Sequence, residues 1–126
     1  MKKNIIVMIL IFCVSGCVPT QTPASAAVED YLQMLSAKNE QGLLTRICPG
    51  YEFDALVEFD ALAQVQTELK DVSCQQVESK TEGAKVACTG SIISNYGSEL
   101  FNYDLTGRIY NVIPDGENWL VCGYTQ

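Results

Sequence analysis

Leu100-Phe101-Asn102-Tyr103-Asp104-Leu105-Thr106-Gly107-Arg108-Ile109-Tyr110-Asn111-Val112-Ile113 is the stretch whose reading decides the fold. Apolar and polar residues alternate along it, the period of a strand with one face on a core. Phe101, Tyr103, Leu105, Ile109 and Ile113 are expected to point inward, and Asn102, Asp104, Thr106 and Arg108 outward. Pro114-Asp115-Gly116 is a strong turn signal, and Trp119 to Tyr124 supplies a closing strand. Upstream, Tyr96-Gly97-Ser98 reads as a turn. A strand covers Ala84 to Asn95, Lys80-Thr81-Glu82-Gly83 turns, and another strand covers Glu68 to Ser79. The spacing predicts a four-stranded antiparallel meander.

Before Gln66 the apolar period is near four. The first helix starts either with Thr22 as N-cap and Pro23 at N1, or at Ser25, and buries Val28, Leu32 and Leu35 with Tyr31. Asn39 caps a short second helix with Leu43, Leu44 and Ile47 on its apolar face, and Pro49-Gly50 ends it. A third helix is expected from about Phe53 to Gln64, with Leu56, Phe59, Leu62 and Ala63 inward and Asp54, Glu58 and Gln64 toward water. Three N-terminal helices followed by four antiparallel strands predict an α+β fold with the helices on one face of the sheet.

Ahead of the helices, Met1-Lys2-Lys3 and the apolar run Ile5 to Val14 form a charged start and a hydrophobic segment. Crossing a bilayer takes ~20 apolar residues, so this run is too short to span and fits a secretory leader. Its end, Val14-Ser15-Gly16-Cys17, resembles the bacterial lipobox, in which an aliphatic and two small residues precede an obligatory cysteine. The resemblance implies that residues 1–16 are a signal peptide and that the thiol of Cys17 carries diacylglycerol. Residues 17–24 are then a lipidated tether and residues 25–126 the folded domain. Each buried methylene contributes ~0.8 kcal/mol, and two chains suffice for stable anchoring to a membrane. The protein is thereby placed in the cell envelope, outside the cytoplasm.

Removing the leader takes away Lys2 and Lys3 and leaves 6 basic against 15 acidic residues, a formal charge of −9. A surface this acidic repels phosphate backbones, so nucleic acid is not an expected partner. The chain has no histidine, the commonest general base and metal ligand. No metal or cofactor site is expected. Cys48, Cys74, Cys88 and Cys122 remain after export, an even set that implies two disulfides, with three ways to pair them. Cys74 and Cys88 are symmetric about Thr81 and should oppose each other across the first hairpin, where facing Cα atoms come to ~4.5 Å. Cys122 lies two strands from Cys88 in a simple meander, beyond disulfide reach, which leaves Cys48 to Cys122. That pairing places Cys122, with Leu120 and Tyr124, on the helix-facing side.

The layout, together with Ala27 to Leu32 leading into Asn39 to Leu44, Gly83 to Cys88, and Asp115 to Cys122, resembles the nuclear transport factor 2-like superfamily, a cystatin-like α+β cone. The resemblance implies a curved sheet wrapped over the helices, with a pocket between them. Its members include binding and accessory domains and also ketosteroid isomerase-like and polyketide cyclase-like enzymes, so it selects no function. An isomerase-like site needs an inward carboxylate. Asp104, Asp54, Glu58 and Asp60 all read as solvated, and no serine has a nucleophile-elbow setting. No catalytic residue is therefore assigned. Tyr31, Phe59, Phe101, Tyr103 and Tyr124 are the candidate pocket residues. Trp119, Val121, Tyr110, Val112 and Ile93 are expected to form an apolar outer sheet face for an envelope partner or a second copy. The expected role is a lipid-anchored, non-catalytic binding or scaffold module, with a small enzyme of the isomerase or cyclase type as the alternative.

Overall fold

The computed structural model describes residue 16 and residues 21–126. The leader and Cys17 fall outside the described residues. The chain is α+β. Helices α1 (Pro23–Ser36), α2 (Glu40–Leu44) and α3 (Glu52–Leu62) precede strands β1 (Gln66–Lys80), β2 (Gly83–Asn95), β3 (Leu100–Asp104), β4 (Ile109–Asp115) and β5 (Asn118–Thr125). A single 3₁₀ turn, Pro49–Tyr51, leads into α3. The sheet is antiparallel and open, ordered β1-β2-β4-β5, with β3 also on β2.

Of the two readings of the first helix start, the structure adopts Thr22. Its hydroxyl accepts from the Ser25 amide at 3.2 Å, and the Ser25 hydroxyl accepts from the Thr22 amide at 3.0 Å. This reciprocal box satisfies two amides that the helix itself leaves free. Val28, Tyr31, Leu32 and Leu35 are fully buried, at the 3–4 residue spacing that faces one stripe to the sheet. Lys38 takes a left-handed turn, φ 59°, and Asn39 caps α2 through the Gly42 amide. Leu44 stays at the surface, because α2 ends there and the chain turns away.

The expected strand Leu100–Ile113 is two strands, which makes five among the described residues. The break spans residues 105–108. The Leu105 amide leaves the strand to donate to the Gly90 carbonyl at 2.9 Å, and Gly107 takes φ +94°. Both pieces run along the same side of β2, β3 opposite Ser91–Asn95 and β4 opposite Ala84–Ala87. A break of this length reverses the inward parity of everything after it. Phe101, Tyr103 and Leu105 keep the expected side, since Tyr103 pairs with buried Ile92 and Leu105 is fully buried. Beyond the break Arg108, Tyr110 and Val112 turn inward, and Ile113 is exposed. Arg108 is thus a core-facing residue and not a solvated one. The expected apolar outer face does not form. Tyr110, Val112 and Val121 are core, Trp119 is half-buried, packs on the core and lines a pocket together with Pro23, Ala26 and Ala27 of α1, and Ile93 is half-buried.

The structure pairs Cys48 with Cys122 and Cys74 with Cys88. The symmetry argument for Cys74 and Cys88 holds only because of a bulge. Lys80 pairs with Gly83, and that register carried down the hairpin would set Cys74 opposite Thr89. The irregularity between Gln76 and Glu78 shifts it by one and brings Cys74 to Cys88. Cys48 reaches Cys122 from beside the sheet and not from the helix layer. The Val121 amide donates to the Arg46 carbonyl at 2.8 Å and the Cys48 amide to the Val121 carbonyl at 2.9 Å, so residues 46–48 lie along the edge of β5. Another irregularity, between Tyr110 and Val112, lets Val121 and Tyr124 both face inward.

The chain-entropy model makes these bridges unequal, because the closed loops span 74 and 14 residues. Urea unfolding should show Cys48→Ala/Cys122→Ala losing about 4 kcal/mol and Cys74→Ala/Cys88→Ala about 3 kcal/mol. Equal losses would show that the long bridge does not act by closing a loop.

Candidate functional site

Glu58 sits between Ala55 and Leu62 on the inner stripe of α3, one residue before buried Phe59. Arg108 reaches it from the start of β4. Arg108 Nη1 donates to Glu58 Oε1 at 2.9 Å, and the Tyr31 hydroxyl donates to Glu58 Oε2 at 2.9 Å. The Tyr51 hydroxyl lies 3.4 Å from that of Tyr31, and the Tyr110 hydroxyl lies 3.5 Å from Arg108 Nη1. The guanidinium stacks over the Tyr124 ring, 4.4 Å from its centre. Only 10% of the Arg108 side chain and 19% of the Glu58 side chain remain exposed. Among the described residues nothing accepts from Arg108 Nε, which is buried. Charge in the cluster sums to zero, and a guanidinium that stacks on one face while donating from its edge is what Arg supplies and Lys does not.

Above this pair lies a cleft of about 330 Å³ lined by Asp54, Val57, Ala61, Ile92, Tyr103 and Tyr124. A wider groove of about 670 Å³ runs between the end of α1 and the start of β1. Its floor is tied by Lys38 Nζ donating to Thr67 Oγ1 at 2.6 Å and Thr67 Oγ1 donating to the Ser36 carbonyl at 2.8 Å. Among the described residues no group of three or more His, Cys, Asp or Glu is placed to hold a metal ion.

Of the five candidate pocket residues, the structure brings Tyr103 and Tyr124 to the cleft and Tyr31 to its floor through Glu58. Phe59 is core and does not line the cleft. Phe101 is exposed, edge-on to Tyr96 at 5.0 Å. Sequence reasoning missed Glu58, Arg108, Tyr51 and Tyr110. Glu58 was detectable, because Ala55, Glu58, Phe59 and Leu62 share one helical stripe. Arg108 was hidden by the break at Gly107.

No protein-family model matches the chain, and no curated protein matches it by sequence.

Burial pushes the Tyr31 and Tyr110 phenols well above their ordinary value, with the Glu58 carboxylate adding to it, and pushes Tyr51 up to about 12. In the unfolded chain these groups ionise near pH 10. The unfolded state therefore releases protons first as pH rises, so their contribution to stability is whole below pH 10 and is lost above it. Stability should fall steeply between about pH 10 and about pH 12, with tyrosinate absorbance from these residues appearing only as the chain unfolds. Arg108→Met leaves a mostly buried carboxylate without its cation and should cost about 3 kcal/mol. Adding Glu58→Leu should recover part of that loss in a double-mutant cycle; strict additivity would show that the pair does not interact.

Proposed function

We propose that the chain is a lipid-anchored binding module of the cell envelope, not an enzyme, with a nuclear transport factor 2-like layout. Three helices on one face of a bulged antiparallel sheet support that layout. The observation that carries the non-catalytic reading is the state of Glu58. Each of its oxygens already accepts a bond from the fold, one from Arg108 and one from Tyr31. The carboxylate braces α3 against the sheet, so its orientation serves the fold; each oxygen keeps one further lone pair, and a general base has to aim it at the proton it removes.

The lipobox resemblance also orients the domain. Residues 17–22 stretch at most about 20 Å, so lipid on Cys17 holds the start of α1 close to the bilayer. The start of α1 neighbours residues 73–76 of β1 and 117–119 near the β4–β5 turn, while its end neighbours residues 64–68. The cleft, β3 and the start of β1 then lie at the end turned away from the membrane.

One observation favours the enzyme alternative: Glu58 is an inward carboxylate at the floor of an apolar cleft. Two measurements separate the readings. Cys17→Ser should leave an unlipidated precursor, and any of it that is processed should leave the detergent phase for the aqueous phase in a detergent partition. A Cys17→Ser protein that has lost its leader and still stays in the detergent phase refutes the anchor. Incubation with a β,γ-unsaturated ketone in deuterated water should give no Glu58-dependent exchange of the α-proton. Exchange abolished by Glu58→Gln establishes the isomerase-type enzyme instead.

A further inference from the structure

The sheet has three sides that bear on pairing, and the chain treats them differently. The open side of β1 carries Lys70, Glu78 and Lys80, and it is bent at Asp71, whose φ is +52° against Gly90 at +91°. Charge and a bulge are the usual guards of a free edge. The side of β5 is covered by residues 46–48 and clamped by Cys48–Cys122. β3 has no bulge, and its one charged residue is Asp104 at its end. Its five residues are Leu-Phe-Asn-Tyr-Asp, without lysine, proline or bulge, and all five are exposed, Leu100 to 70%. It pairs with β2 alone; the side that in β4 carries β5 meets no described strand, because β5 ends opposite Ile109.

Apolar residues of α3 line the cleft that Tyr103 of β3 also lines. Phe53 and Val57 are i and i+4 on α3 and are 78% and 55% exposed. Val57 and Ala61 share the cleft with Tyr103 of β3. The ionisable groups around it are mostly acidic, with Lys38 sharing the wider groove that Leu100 of β3 also lines. Asp54 lines the cleft, Asp104 ends β3, and Glu99 precedes it. Arg108, the one cation lining the cleft, is neutralised by Glu58.

We propose that β3 and the Phe53–Val57 stripe form a docking groove for an extended, basic segment of another protein, which adds as a strand beside β3. The inference rests on the binding-module reading and names its partner class. The open main-chain edge supplies hydrogen bonds to any extended chain, and apolar side chains at alternate positions fill the cleft beside Val57 and Tyr103. Lysine or arginine at the intervening positions meets Asp104 and Glu99, and this charge match selects among extended partners. A second copy of this chain would bring the same carboxylates together. An anionic membrane repels the groove for the same reason, and the tether holds the opposite end of the domain at the bilayer.

The test uses the full mature protein in neutral-detergent micelles, with empty micelles subtracted. The probes are two synthetic decapeptides, one alternating lysine with valine and one alternating glutamate with valine. The lysine peptide should bind, weaken with added salt, and slow amide hydrogen exchange in β3 but not in β1. The glutamate peptide should bind at least tenfold more weakly. Tyr103→Lys and Phe53→Ser lie on exposed positions and should leave the melting temperature unchanged while weakening the lysine peptide at least tenfold. Lys80→Ser, on the β1 edge, should not weaken it. Equal binding of the two peptides, protection on β1, indifference to Tyr103→Lys, or no binding at all overturns the groove. The phase-partition and proton-exchange measurements do not depend on these outcomes, so the failure of the groove is separable from failure of the module reading.

Discussion

The turn at residues 105–108 fixes the interior and the surface of the sheet at once. With Gly107 at a positive φ and the Leu105 amide drawn off to Gly90, the strand cannot continue in register. The parity reversal beyond it sends Arg108, Tyr110 and Val112 into the core. β5 pairs as far as Ile109, and β3, on the other side of the interruption, has one side that meets no described strand. An Asx-type bond, from the Thr106 amide to Asp104 Oδ1 at 2.8 Å, holds the turn. Gly90, opposite, has a backbone approach that a Cβ would obstruct, since the carbonyls of Lys70 and Asp71 occupy that space. The break and the bulge across β2 are therefore one feature, seen from the two neighbours of that strand.

Placing a guanidinium inside the fold carries a desolvation cost of several kcal/mol per ion, which Glu58, Tyr110 and Tyr124 offset only because their geometry is close. Such a pair adds little net stability over an apolar alternative. What it does is penalise any packing in which one partner loses the other, so the position of α3 over β4 is set sharply. Tyr31 links the pair to α1, and Tyr51 links it to the 3₁₀ turn held beside β5. The Tyr51 ring lies beside Gly123 of β5, whose φ is +125°. The polar cluster and the Cys48–Cys122 clamp thus fasten the same helical layer from its middle and from its edge.

A binding role and these constraints are mutually consistent. The buried stripe of α1 packs across β1 and β5. The groove end has exposed apolar groups with a braced floor beneath them, so a segment docking there meets a surface that needs little ordering.

The sequence by itself determined the local and periodic features. The helix stripe of Val28, Leu32 and Leu35, the Asn39 cap, the hairpin turns and the α+β order are set by nearest neighbours and by periods of four and two. Chain topology pointed to the cysteine pairs, but a bulge in β1 set the register that joins Cys74 to Cys88. The Thr22 and Ser25 starts were equal in sequence, and the reciprocal hydroxyl box decided between them. Only the tertiary structure decided which way the residues after Gly107 face, because one left-handed residue changes parity without leaving a trace in the alternation of side chains. It also decided that Glu58 is inward, since a helical stripe admits a carboxylate only when a cation from a distant strand comes to meet it. The open edge of β3 was likewise beyond the sequence, because an edge is defined by which strands come to lie beside it, and that is a property of the tertiary arrangement.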